Sequence, residues 1–265
     1  MSDCFSFHRG DSPLLISIPH DGRRLAPGME DRMTDAGRAL PDTDWHVIRL
    51  YKFAKDLGAS IIAANYSRYV VDLNRSNTDA ALYEGQVSTG LCPQKTFAGD
   101  DIYVDGDPLT AEEQQSRIVT YWRPYHDRID IELQRIRAEL GYALLWDAHS
   151  IPSRVPMLFD GELPVLNIGT NGGESCDSQL QNSVVEAAEA SSYSIVVNGR
   201  FRGGYITRYF GQPDESVHAI QLELAQRAYM DEETQEFDDG TASRLVDPLS
   251  KMLQAYSSSA RSYKF

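Results

Sequence analysis

Apolar residues in this chain gather in short runs rich in β-branched and aromatic side chains, each stopped by a polar or glycine-bearing turn. Seven such runs, at 14–18, 60–64, 69–73, 142–146, 164–168, 194–197 and 217–224, predict core strands. Between them the spacing changes to the helical period. Residues 45–57 put Val47, Ile48, Tyr51, Ala54 and Leu57 on one face, and 177–190 is rich in alanine and glutamate. Thr110 and Glu113 make a capping pair that opens the longest helix. Its stripe runs through Ile118, Trp122, Tyr125, Ile129, Leu133, Ile136 and Leu140, with a kink expected at Pro124. A last amphipathic stretch carries Leu245, Leu249, Met252, Leu253 and Tyr256, with Pro248 as a candidate break.

Strands alternating with helices predict an α/β fold whose sheet is mostly parallel and flanked by helices. At 265 residues and 42% hydrophobic composition, one domain spanning 1–265 can bury a large core. The reach 82–106, rich in Gly, Asp and Pro, shows neither period and reads as a functional loop or lid.

Charge narrows the partners. The net charge of −14 disfavours general attraction to nucleic acid or to an anionic membrane, so an anionic ligand must be caught by local arginines. Cys4, Cys92 and Cys176 are odd in number and outside any CxxC spacing, which argues against a disulfide framework and a thiolate zinc site. The first residues lack a basic region, and the run 14–18 is too short for a signal peptide or a membrane span. A cytoplasmic location is expected.

Open α/β sheets bind ligands beyond the carboxyl ends of their strands, and those ends are polar here. The first ends in Pro19-His20-Asp21-Gly22, the third in Asp72-Leu73-Asn74-Arg75 and the fourth in Asp147-Ala148-His149-Ser150. A lone histidine at such a place is more often a hydrogen-bonded structural residue than a ligand. Two of them meeting a carboxylate match a catalytic zinc site, which takes three protein ligands and leaves one position open. Candidates for the third ligand lie in Asp42-Thr43-Asp44-Trp45-His46, where capping of the following helix competes for both aspartates. Glu223, between Leu222 and Leu224, is a carboxylate in an apolar strand and needs a cation or a proton; the plainer reading is an ion pair with arginine. Asn74 and Arg75 suit a carboxylate clamp, and Arg200, Arg202 and Arg208 cluster in a glycine-rich segment that implies an anionic ligand. His8, His46, His126 and His218 read as ordinary packed or surface histidines.

Together, Ile18-Pro-His-Asp-Gly22, Leu40-Pro-Asp-Thr-Asp44, the segment from Ser67 to Arg75, Leu145-Trp-Asp-Ala-His-Ser150, the segment from Asn198 to Gly204 and Gln221-Leu-Glu223 resemble the N-formylglutamate amidohydrolase (deformylase) family. The likeness runs from about Phe7 to Tyr229. That family is distantly similar to zinc carboxypeptidases and aspartoacylase, which implies a phosphorylase/hydrolase-like sheet. The resemblance also implies a first metal ligand at His20, a second at His149, substrate binding by Asn74 and Arg75, and a general base at Glu223. Those relatives carry a metal glutamate three residues after the first histidine, where this chain has Arg23. Asp44 is therefore chosen as the acidic ligand over Asp42 and Asp21.

The implied chemistry is zinc-dependent, or dependent on another divalent ion. Water adds to the formyl carbon of N-formyl-L-glutamate, an arginine such as Arg68 or Arg208 helps the oxyanion, and Arg200 and Arg202 join the carboxylate clamp. The products are glutamate and formate, at the end of histidine breakdown. Two other readings remain open: hydrolysis of another N-acyl amino acid, and a metal-free binding protein for acidic ligands on the same fold. A serine or cysteine hydrolase is disfavoured, because there is no GxSxG elbow and no cysteine beside a histidine. Oligomeric state is not legible.

Overall fold

The computed structural model describes residues 3–78, 89–104 and 109–262. Within them lie strands β1 (Phe5–His8), β2 (Leu14–Ile18), β3 (Ser60–Ala64), β4 (Ala143–Ile151), β5 (Leu166–Gly169), β6 (Ile195–Val197) and β7 (Val217–Ala225). They form one sheet in the order β1-β3-β2-β4-β7-β5-β6. β1–β3 and β5–β7 are antiparallel and the other pairings parallel, so the expected mostly parallel α/β sheet is present.

Side-chain alternation gives the sheet two dry faces. Leu14, Ile16 and Ile18 of β2 point one way with Trp146, Ile220, Leu222 and Leu224. Leu15 points the other way with Leu145 and Ala219. Covering both faces lets a parallel strand be an unbroken apolar run. The first face is covered by α2 (Val47–Leu50) with the 3-10 turn that continues it to Leu57, by α5 (Ser178–Glu189) and by α7 (Asp239–Ser262). The second is covered by α4 (Arg123–Leu140) and α6 (Tyr205–Phe210).

The long helical pattern is realised with an interruption. α3 (Ala111–Arg117), capped by Thr110 Oγ1 accepting from Glu113 N, passes through a π turn over Ile118–Trp122 into α4. Pro124 has no N–H to return to the preceding turn, and a wider π turn takes up the mismatch just before it. Pro248, in contrast, does not break α7. Leu245, Leu249, Met252, Leu253 and Tyr256 are fully buried on both sides of it. At about 1.5–3 kcal/mol each, their burial outweighs the roughly 3 kcal/mol cost of an interior proline. α1 (Asp35–Arg38) is a single turn capped by Thr34.

Two strand expectations need correction. Residues 69–73 form no strand. Val70 N bonds to Ser67 O in a turn, Asp72 N bonds to Leu91 O, and the carbonyls of Tyr69 and Val70 are taken by the buried guanidinium of Arg117 at 3.3 and 3.1 Å. The run is apolar because it is packed on two sides, against Met29, Met33 and Ile102 and against Leu91 and Trp122. β4 does not stop at Trp146 but runs on to Ile151, so Asp147 and His149 lie inside the strand, opposite Gln221 and Glu223. β1, an edge strand with alternating phenylalanines, carried too short a pattern to be anticipated. Of the expected loop, 82–88 and 105–106 lie outside the described residues; 89–104 consists of turns and isolated bridges.

Candidate metal centre

The second sheet face changes character along its length. Ala143, Leu145, Val217 and Ala219 lie under α4 and α6, and the next same-facing positions are Asp147, His149, Gln221 and Glu223. This polar half lies at the carboxyl ends of β4 and β7, where α/β sheets place their ligand sites. His20 arrives two residues after β2, and Asp44 is tied beside it by its N–H donating to His20 O at 3.1 Å.

Competition between capping and function at 42–46 is resolved by a division of labour. Asp21, not Asp42 or Asp44, serves the start of α2, accepting from His46 N (3.2 Å) and Ile48 N (2.8 Å). Asp42 accepts from Tyr69 Oη (2.7 Å) and Phe97 N (2.9 Å) and so ties the 89–104 segment to the site. Asp44 is left to turn inward, where its Oδ2 lies 3.0 Å from His149 Nδ1 and 3.7 Å from His20 Nδ1 and accepts from Ser150 N at 3.1 Å.

One potential ligand atom from each of His20, Asp44 and His149 falls within 4.8 Å of the others, and all three residues are buried. The imidazole rings stand 4.9 Å apart between centroids. His20 Nδ1 is buried with no hydrogen-bond partner, while its Nε2 is 2.7 Å from Asp72 Oδ1. Two imidazoles and one carboxylate, one nitrogen unpartnered and the other faces held by carboxylates, are a donor set suited to zinc or a similar divalent ion.

The surrounding charges are strongly biased. Burial works to raise the Asp44 carboxyl, but His20 and His149 hold it well below the usual carboxylate range. Arg68 and His20 do the same for Asp72 against its burial. Glu223 goes the other way: burial pushes its carboxyl up to about 8, opposed by His149 and Arg68. Its Oε2 accepts from Gln221 Nε2 at 3.1 Å, and Gln221 Oε1 in turn accepts from Gly204 N at 2.7 Å.

A cavity of about 100 Å³ opens over these groups. Glu223, Asn74, Arg68, Arg75 and Arg200 line it, with Phe97, Leu158 and Phe201 as apolar walls. Arg68 bridges Asp72 Oδ2 (2.7 Å) and Asp44 Oδ1 (3.6 Å), and Arg75 Nε stands 3.9 Å from Asp72 Oδ2. Arg202 and Arg208 are not among the lining residues. Arg208 Nε donates to Gly203 O at 2.8 Å, and Asn171 N donates to Arg202 O at 2.6 Å.

Asp72, Asp147 and Gln221 were not singled out as site residues by sequence reasoning. Each is a polar residue between apolar neighbours, Val71 and Leu73, Trp146 and Ala148, Ile220 and Leu222, the same signal that exposed Glu223.

A model of the N-formylglutamate amidohydrolase family matches residues 12–230. An N-formylglutamate deformylase from Pseudomonas aeruginosa is 55% identical over 234 residues, covering 88% of either chain. One from Pseudomonas putida is 52% identical over 238 residues, covering 89% of this chain and 88% of its own. Among solved structures, an N-formylglutamate amidohydrolase from Ralstonia eutropha JMP134 superposes with a TM-score of 0.85 at 23% identity, over 98% of this chain and 99% of the other. A gene product of Agrobacterium tumefaciens does so with 0.71 at 19% identity, over 95% of both. At these identities the two superpositions speak for a shared fold.

Proposed function

This chain belongs to the N-formylglutamate amidohydrolase family, and from that premise we propose that it hydrolyses N-formyl-L-glutamate to L-glutamate and formate with a divalent ion, zinc first among candidates. The observation that carries the metal is the buried meeting of His20, Asp44 and His149, with Glu223 on the neighbouring strand and three arginines around one cavity. An ion held by those three residues supplies Lewis acidity, which polarises the formyl oxygen and acidifies a water.

The protein's own groups do the rest. Glu223, whose carboxyl burial pushes up to about 8, would be returned to its ionised form beside the positive charge of the ion; it then takes the water proton and returns it to the departing amine nitrogen. We assign Arg68, which lines the cavity, to stabilising an oxyanion on the formyl carbon. Arg75, Arg200 and the Asn74 amide hold the two substrate carboxylates. We assign Arg202 and Arg208 to shaping the glycine-rich turn, since neither lines the cavity. The enzyme acts as one domain over 1–265 on a small acidic substrate, in the cytoplasm, at the close of a histidine-degradation route. Among the described residues no helix is long and apolar enough to cross a membrane.

Formate release from N-formylglutamate, measured before and after chelation and with zinc, manganese or cobalt restored, tests the reading. Activity must vanish with the metal and return with it. Glu223→Gln should lower kcat by about 10² to 10⁴ without loss of bound metal. N-acetylglutamate should turn over more slowly than the formyl substrate; the reverse preference overturns the choice of acyl group.

A further inference from the structure

His149 Nε2 faces two groups of opposite kind. Asp147 Oδ2, which can only accept when ionised, is 3.1 Å away, and Asn74 Nδ2 is 2.9 Å away. The Asn74 amide cannot simply turn over, because its Oδ1 already accepts from Ile206 N at 2.8 Å, so it presents a donor.

A neutral imidazole carries one proton, and the two neighbours demand different tautomers. With Nε2 bare, it accepts from Asn74, and the proton sits on Nδ1, aimed at Asp44 Oδ2 3.0 Å away. His149 then offers no lone pair on the side that faces Asp44 and His20. With the proton on Nε2, it is donated to Asp147, and Nδ1 turns a lone pair towards Asp44 and His20. His20 has the same arrangement, with Nε2 on Asp72 at 2.7 Å and Nδ1 unpartnered.

Asp147 has little other use. It is fully buried, its Oδ1 has no partner, and besides His149 it meets the Thr207 hydroxyl at 3.3 Å. Asp72, by comparison, is anchored by Arg68 and by Asn74 N. A buried carboxylate with one idle oxygen is costly to keep, and the imidazole beside it is its evident purpose.

We propose that Asp147 is the positioning residue of the metal centre: it accepts a hydrogen bond from the Nε2–H of His149, fixes the tautomer that binds the ion, and so leaves the Asn74 amide free to bind the substrate carboxylate. The proposal rests on the metal-centre reading above. It couples the ion to the clamp through one ring, since the tautomer that binds metal is the one that does not engage Asn74.

The test is zinc affinity, measured by competition with a chromogenic chelator on the purified full chain. Asp147→Asn keeps the size of the side chain but can turn an amide donor to Nε2 and hold the wrong tautomer. Zinc affinity should fall about 10- to 100-fold, as for lost partners of metal-bound histidines. Wild-type affinity in a folded Asp147→Asn protein overturns the proposal while leaving the metal centre standing. Wild-type protein that binds no zinc overturns both. A second measurement needs no variant: nitrogen-15 spectra of the zinc-loaded wild type should show His149 protonated at Nε2. A bare Nε2 there overturns the proposal even if Asp147→Asn fails to fold.

Discussion

Gly204 offers a clean perturbation of the proposed substrate clamp. Its backbone is extended (φ −83°, ψ −164°), so alanine meets no conformational penalty there. Space is the obstacle: an added Cβ would lie 2.3 Å from Asn74 Nδ2, 2.5 Å from Cγ and 2.6 Å from Oδ1. Ordinary contact between heavy atoms begins near about 3.5 Å, so the amide must retreat by roughly 1 Å. Asn74 cannot do this freely, because Oδ1 holds Ile206 N at 2.8 Å. Overpacking of this kind costs about 1–3 kcal/mol, and a stranded Ile206 N–H adds a similar amount. Displacing a substrate-holding group by about 1 Å is worth on the order of 10² in rate, or roughly 2.7 kcal/mol. Gly204→Ala should therefore lower kcat/KM for N-formylglutamate about 100-fold, chiefly through KM, if the clamp serves ground and transition states alike. Steady-state kinetics with metal content measured in parallel would read this out. The double variant with Asn74→Ala decides the cause, for once the amide is gone the methyl has nothing to displace, and the second change should add little. Wild-type kinetics for Gly204→Ala, or full additivity in the pair, would refute the reasoning.

Burial holds His126 and His218 neutral by lowering both to about 4. The unfolded chain takes up these protons first as pH falls, so the stability they contribute is complete above about 6.5 and is lost between there and 4. The loss is at most about 3 kcal/mol per group. Urea midpoints at pH 7.5 and 5 should show it, with a shallower dependence in His218→Asn; parallel slopes would count against the assignment. Glu132 is fully buried and accepts from Ser60 Oγ, Arg128 and Arg135, each at 2.6 Å. Glu132→Gln should cost about 2–4 kcal/mol in chemical denaturation, because it removes the charge that Arg128 and Arg135 share, although Arg135 keeps Glu139 and Gly10 O. It should leave kcat intact, since Ser60 begins β3 at the end of the sheet away from the site; a loss of kcat in folded protein would contradict this. Zinc at 100 times its Kd should stabilise the fold by about 2.7 kcal/mol, and chelation should lower Tm by about 5–10 °C. An unchanged melting curve would speak against a metal at this site.

Strands buried on both faces were readable because their apolar runs have no other use. The same signal misled at 69–73, since apolarity reports burial and is silent on which backbone partners a segment takes. There the partners are Ser67, Leu91 and the Arg117 side chain, two of them remote in sequence. The site was legible where a polar residue interrupts an apolar strand. It was illegible where two roles compete for similar residues, as with Asp21, Asp42 and Asp44. Capping preference alone points to Asp42, and only the three-dimensional path shows Asp21 performing that task from 25 residues away.

How an acidic protein accepts an acidic substrate follows from the charges in the cavity. Three arginines line it, but so do three carboxylates, Asp44, Asp72 and Glu223. Arg68 is already engaged with Asp72 and Asp44, and Arg75 stands near Asp72. With Glu223 ionised as the base, the protein groups come close to cancelling, and a substrate with two carboxylates gains little net attraction from them. A divalent ion held by the buried His20, Asp44 and His149 would add two positive charges away from the surface, where each counts for more. On the proposed metal reading, the ion would be needed for binding as well as for bond cleavage. Substrate and ion should strengthen each other by the same factor, as linkage requires of any two ligands that share one field.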